Sequence, residues 1–211
     1  MSDTCLTIES ATEGLYKEKG SRFLAFAYPV ESEDQIKERL QALRKQHHAA
    51  RHHCYAWILG SDGQRVRQND DGEPSGTAGR PIMGQLKKVG LTNILAVVVR
   101  YFGGTLLGVS GLAKAYGYAT ADALQRATII ERISTVPMTV IFDYAALNSV
   151  MKLLKDNALP QNLPDFGACL DNRCQLHTSA PKSRADSVAA LFRAFNCTVS
   201  FPADTCEAPD N

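Results

Sequence analysis

No C-x-x-C pair, no apolar run of membrane-spanning length and no low-complexity linker occurs in this chain, and its charges nearly cancel. The six cysteines (Cys5, Cys54, Cys169, Cys174, Cys197, Cys206) match neither a zinc-ligand doublet nor a dithiol redox motif. Reduced thiols in a cytoplasmic protein are the economical expectation, with a Cys169–Cys174 bridge across a hairpin as the disfavoured alternative. No N-terminal segment has the basic-then-apolar build of a signal peptide, so no membrane role is expected. A net charge of +1 and a pI near 7.6 exert no global pull on nucleic acid or anionic lipid. The balance is uneven, however. Residues 1–136 hold 17 Lys/Arg against 14 Asp/Glu, residues 137–203 hold 6 against 5, and the last eight residues carry three acids alone. This asymmetry permits an RNA-facing patch on the first half without requiring one. With 45% hydrophobic and 21% charged residues over 211 positions, the composition is that of a globular protein near the length where one domain becomes two.

Periodicity supplies the elements. "GSRFLAFAYPV" (20–30) reads as a strand. "SEDQIKERLQALRKQHHAAR" (32–51) reads as an amphipathic helix: Ser32 is its N-cap, acids open it, and Ile36, Leu40 and Leu43 share one face. "HCYAWILG" (53–60) is a strand that turns at Asp62-Gly63 into "QRVRQN". "PIMGQLKKVG" reads as a helix stopped by Gly90. "NILAVVVRYF" (93–102), apolar on both faces, suits a buried central strand. The small residues of "SGLAKAYGYATADALQRA" (110–127) predict a helix that another backbone approaches closely. Beyond Val136 the pattern becomes β-α-β-β-α-β: "STVPMTVIFDY", "AALNSVMKLLKDN", two strands around an Asp171-Asn172 turn, a helix from "PKSRADSVAALFRAF", and "NCTVSF". That order is the ferredoxin-like split βαβ. The expected division is 1–135, 136–203 and a loose tail at 204–211, in an α+β protein.

Two glycine-rich stretches carry the chemistry. In "RYFGGTLLGVSGLAK", strand, glycines and helix follow in the layout of a phosphate cradle. Yet Val109 follows Gly108 where a Walker loop needs Lys, and Gly104, Gly108 and Gly111 miss the dinucleotide spacing. A tight strand-to-helix turn that only glycine permits reads equally well. Arg100 ends the apolar strand, and Lys114, read as first-turn, opposes the helix dipole. The carboxylates of "NDDGEPSGTAGRPIMG" (Asp70, Asp71, Glu73) would compensate such cations, in an internal salt-bridge network or beside a bound anion. They could equally hold Mg²⁺. Ser75 or Thr77 with His52 or His53 would make a nucleophilic pair, but nearness in sequence says little about such geometry. A zinc site from His52, His53 and Cys54 is disfavoured, because strand neighbours point to opposite faces.

Taken together, "NDDGEPSGTAGRPI" and "NILAVVVRYFGGTLLGVSGLAKAY" closely resemble the paired signature of the IMPACT family. The resemblance implies an N-terminal domain like the second domain of ribosomal protein S5 and a C-terminal ferredoxin-like domain similar to the last domain of elongation factor G. It places Asp70, Asp71, Glu73, Arg80, Arg100, Gly103, Gly104, Gly108 and Lys114 at the signature positions. Eukaryotic members act in translational control by binding a ribosome-associated activator of a stress kinase. They do so with a further N-terminal domain that this sequence lacks, so that contact is not expected here. The leading expectation is a translation-associated regulator that binds RNA or the ribosome without catalysis, cofactor or metal, through Arg80, Arg100, Lys114 and the glycine turn. The alternatives are an enzyme that binds a nucleotide or phosphate ligand at the glycine turn and acidic loop, and a protein-binding module. In each case the acidic loop is expected to fold back toward "FGGTLLG" and form one concave site where its carboxylates meet Arg100 or Lys114.

Overall fold

The computed structural model describes residues 3–161 and 173–201. The fold is α+β and divides into two compact units: Thr4–Arg132, and a smaller one from Ile133 onward that also takes in Asp3. The larger unit runs β1 (Thr4–Ile8), β2 (Thr12–Glu18), β3 (Ser21–Pro29), α1 (Glu33–Gln46), β4 (His52–Leu59), β5 (Arg65–Asn69), α2 (Gly79–Val89), β6 (Ile94–Tyr101), α3 (Gly108–Gln125) and β7 (Ile129–Ile133). Its main sheet is antiparallel in the order β2-β3-β6-β4-β5, while β1 and β7 form a separate two-stranded ribbon.

β6 is central, and its double-sided apolarity has a direct cause. Ile94, Ala96 and Val98 pack with Ile82 and Leu86 of α2 and Ala115 and Tyr116 of α3. Leu95, Val97 and Val99 pack on the other face with Ile36 and Leu43 of α1 and with Trp57. α1 begins where its N-cap directs it, with Ser32 Oγ accepting from Gln35 N at 3.2 Å. α2 ends at Gly90, whose φ of 76° is left-handed and aims its N–H back at the Leu86 and Lys87 carbonyls.

Besides the short buried strand β1, two exposed strands escape the sequence pattern: β2 is an edge strand with alternate residues in solvent, and four of the five residues of β7 are exposed. Backbone pairing holds such strands, so they carry little apolar periodicity.

The smaller unit runs β8 (Thr135–Asp143), α4 (Leu147–Asp156), β9 (Arg173–Pro181), α5 (Ala185–Ala194) and β10 (Thr198–Ser200). The sheet order is β10-β8-β9, antiparallel throughout. Met138, Val140 and Phe142 of β8 meet Val150 and Leu154 of α4 and Val188 and Phe192 of α5. Pro181 does not open the last helix. It ends β9 in an extended conformation, and a short 3₁₀ turn at Lys182–Arg184 precedes α5. The strand expected before the Asp171-Asn172 turn, Cys169 and the tail from residue 204 lie outside the described residues.

α3 approaches the sheet as closely as its small residues suggest. A Cβ on Gly14 of β2 would lie 2.4 Å from Ala123 N and 2.8 Å from Ala119 O. Thr12 Oγ1 donates to Ala123 O at 3.1 Å, and Leu15 N donates to Asp122 Oδ2 at 2.9 Å. Gly14→Ala therefore forces backbone apart and should destabilise the protein by about 3 kcal/mol. Gly84 of α2 is exposed with open space around it. There alanine relieves only the helix cost of glycine, and Gly84→Ala should stabilise by about 1 kcal/mol. Urea unfolding of both variants measures the contrast.

Candidate functional site

Arg100 occupies the end of β6, cross-strand from Phe23 of β3 and His52 of β4. It points to the face that α2 and α3 cover, where a guanidinium meets an apolar interior. The acidic loop supplies its counter-charge. Arg100 Nη1 donates to Glu73 Oε1 at 2.6 Å, with side-chain exposures of 7% and 4%. Tyr116 Oη of α3 donates to the same oxygen at 2.8 Å. Burial, with the nearby Cys54 and Glu73, raises the Tyr116 pKa, so the phenol keeps the proton it donates. Arg100 Cζ also lies 5.5 Å from the ring centroids of Phe23 and Phe102.

The other two acids have separate tasks. Asp70 caps α2 from a distance: Oδ1 accepts from Ala78 N at 2.9 Å and Gly79 N at 2.8 Å, and Oδ2 from Gly76 N at 2.9 Å. Ala78 at the N-cap has no side chain able to do this. Burial pushes the Asp70 carboxyl upward, but the three backbone donors and the Arg80 charge outweigh it and hold the pKa below the usual value. Asp71 latches the loop to its neighbours, accepting from His53 N at 2.7 Å and Arg44 Nη2 at 3.1 Å. Its carbonyl accepts from His52 Nδ1 at 2.8 Å, which leaves Nε2 as the ring's other polar edge.

The nucleophilic candidates are not assembled. Thr77 Oγ1 closes a turn onto Pro74 O at 2.6 Å. His52 and His53 project to opposite faces, and burial lowers the His53 pKa against the pull of Asp71. Cys54, buried 3.3 Å from Tyr116 Oη, has its thiol pushed up to about 12, chiefly by burial. Among the described residues, no cluster of three His, Cys, Asp or Glu side chains is arranged for a metal.

The glycines answer to backbone geometry. A Cβ on Gly103 would lie 1.9 Å from Gly20 C, and Gly103 N donates to Ser21 Oγ at 3.1 Å. Gly104 and Gly108 adopt left-handed φ of 87° and 70°. The expected fold-back is present, since Glu73 reaches Arg100 beside this turn. Lys114 departs from expectation. α3 begins at Gly108, which makes Lys114 its seventh residue, outside the first turn where the dipole acts. It is exposed and lines a different hollow of about 390 Å³ with Tyr16, Glu18 and Tyr118, away from the acidic loop. Arg80 is likewise exposed, at the start of α2.

Beside the buried pair lies a concavity of about 620 Å³ lined by Ala49, Arg51, His52, Arg100, Tyr101, Phe102 and Leu106. Phe102 and Leu106 are 57% and 82% exposed. Of this set, the sequence pattern singled out Arg100 as a binding residue, and His52 only as a catalytic partner or a disfavoured zinc ligand. Arg51, Phe102 and Leu106 emerge only because β4 starts where β6 ends, a register that sequence periodicity does not encode.

Arg100→Ala should cost about 3–5 kcal/mol in urea unfolding, because it strands the Glu73 charge in the interior. Neutralising both partners as Arg100→Met with Glu73→Gln should recover most of that loss. Asp70→Asn tests the remote cap. A depressed carboxyl stabilises the fold above the ordinary value of 3.8, and the contribution fades as pH falls through the lower folded-state value. Wild type should therefore exceed Asp70→Asn by about 1–2 kcal/mol at neutral pH. In urea titrations across the acid range that difference should shrink toward zero.

The Impact N-terminal domain family model matches residues 19–124, the stretch that contains every residue of this site. IMPACT family member YigZ of Escherichia coli (strain K12) is 41% identical over 138 residues, 64% of this chain and 68% of that protein. IMPACT family member YvyE of Bacillus subtilis (strain 168) is 37% identical over 157 residues, 74% and 72% of the respective chains. A crystal structure of a hypothetical protein, 30% identical, superposes with a TM-score of 0.71 over 97% of this chain and 100% of that one. The chain belongs to the IMPACT family.

Proposed function

We propose that this protein is a cytoplasmic regulator associated with translation, and that it binds RNA or the ribosome without catalysing a reaction. One observation carries the binding half of this reading. The groups that catalysis would recruit are already committed to the fold, whereas cations remain open to solvent. Asp70 caps α2, Glu73 neutralises Arg100, and the Cys54 thiol is held protonated. Arg51, Arg80 and Lys114 are exposed and make no ion pair among the described residues. Exposed cations outside any ion pair favour a polyanionic partner. The role of Arg100 in this reading is to anchor the corner, since Glu73 already matches its charge.

Membership of a family whose eukaryotic members act in translational control supports the translation half. The same membership favours a first unit like domain 2 of ribosomal protein S5 and a ferredoxin-like second unit. The strand order β10-β8-β9 supports the latter, being the order of a split βαβ pair once the strand expected within 162–172 is set aside. Fold likeness does not by itself assign function, so the test is direct. Filter binding of structured RNA should show affinity that falls steeply with salt. Arg80→Ala and Lys114→Ala should each weaken binding severalfold and lower the salt slope by about one. Their stabilities should stay within about 0.5 kcal/mol of wild type. Absence of salt-dependent binding at low ionic strength would defeat the reading.

A further inference from the structure

We infer that the concavity beside Arg100 is a subsite for one unpaired RNA nucleotide, whose base stacks on Phe102 and whose phosphate is met by Arg51. The inference rests on the RNA-binding reading above and names the form of RNA that this corner takes. Phe102, 57% exposed, and Leu106 together put apolar surface at the lip of one cavity, and clustered exposure of that kind marks binding grooves. The Phe102 ring is also held in place. The Arg100 guanidinium sits 5.5 Å from its centroid, and Glu73 ties that guanidinium down at 2.6 Å. The next residue, Gly103, is pressed against Gly20 so closely that no side chain fits. Phe102 is thus offered from a rigid strand end, which lowers the ordering cost of a stacked partner.

The remaining lining matches a nucleotide. A base stacked on a ring that already carries a cation on its surface completes a cation–arene–base stack, the arrangement that single-strand binders use without sequence preference. Leu106, 82% exposed, adds apolar surface beside the stack. Arg51, exposed and without an ion pair among the described residues, supplies a phosphate contact at the rim. His52, with Nδ1 committed to the Asp71 carbonyl, leaves Nε2 as its remaining polar edge for a contact with the base. A volume of about 620 Å³ is within the range of small-ligand sites and accommodates one nucleotide. Bases within a duplex are already stacked and cannot enter, so the surface discriminates unpaired from paired RNA.

Fluorescence anisotropy with a labelled single-stranded RNA and with a fully paired duplex tests this. Phe102→Ala should weaken single-strand binding about tenfold and leave duplex binding unchanged. Phe102→Tyr should restore it, and Phe102→Leu, which keeps apolar area but no ring, should not. Arg51→Ala should weaken both RNAs and lower the salt slope by about one. Because Phe102 is exposed, urea unfolding should show all three Phe102 variants folded. If wild type binds RNA with salt dependence but Phe102→Ala or Phe102→Leu binds the single strand as wild type does, the subsite is overturned and the RNA-binding reading stands. If wild type binds neither RNA at low salt, both fall together.

Discussion

Glu73 and Arg100 bring opposite charges into a corner of the sheet where neither would be tolerated alone. Their contact is what makes a glycine-rich acidic loop and an apolar central strand parts of one structure. A guanidinium at the end of β6 needs a carboxylate, and the loop delivers one at 2.6 Å by folding back toward it. Once Glu73 is anchored, its neighbours fall into register. Asp70 reaches the unsatisfied N–H groups of α2, and Asp71 meets the start of β4. Tyr116 of α3 donates to the same Glu73 oxygen, so α3 is tied to the loop as well as to the sheet.

The arrangement separates charges by role. Carboxylates close to the sheet are consumed in holding it, which leaves the loop little to offer a metal or a substrate. Cations that take no part in that network stay at the surface. The same separation accounts for Phe102. The residue that follows the anchored arginine is the first to leave the sheet, and the close approach of Gly103 to Gly20 gives it no freedom to turn inward.

Much of the fold was legible in the amino-acid pattern. The double-sided apolarity of β6, the capped amphipathy of α1, the left-handed stop at Gly90 and the small-residue face of α3 are local properties, and each appears where its residues place it. β2 and β7 were not legible because strands held by backbone pairing with exposed residues leave weak apolar periodicity, and β1 was missed because it is only five residues long. The site was legible in part. An acid cluster and a cation at the end of an apolar strand are each conspicuous in sequence, and their pairing follows from charge. Lys114 was misplaced for a definite reason. α3 starts at Gly108, and that shift moves Lys114 out of the first turn and toward another hollow.

The sequence by itself determined the apolar faces of β6 and α1, the stop of α2 at Gly90, and that the acids of residues 70–73 need cations. These depend on composition and short-range periodicity. The tertiary structure alone decided which cation each acid meets and which residues share the cavity. Antiparallel pairing sets His52 of β4 across from Arg100 of β6, and a turn of glycines returns Leu106 to the same place. Nothing local in the chain carries that register. It arises when two strands nearly fifty residues apart pair so that both of their apolar faces are covered at once.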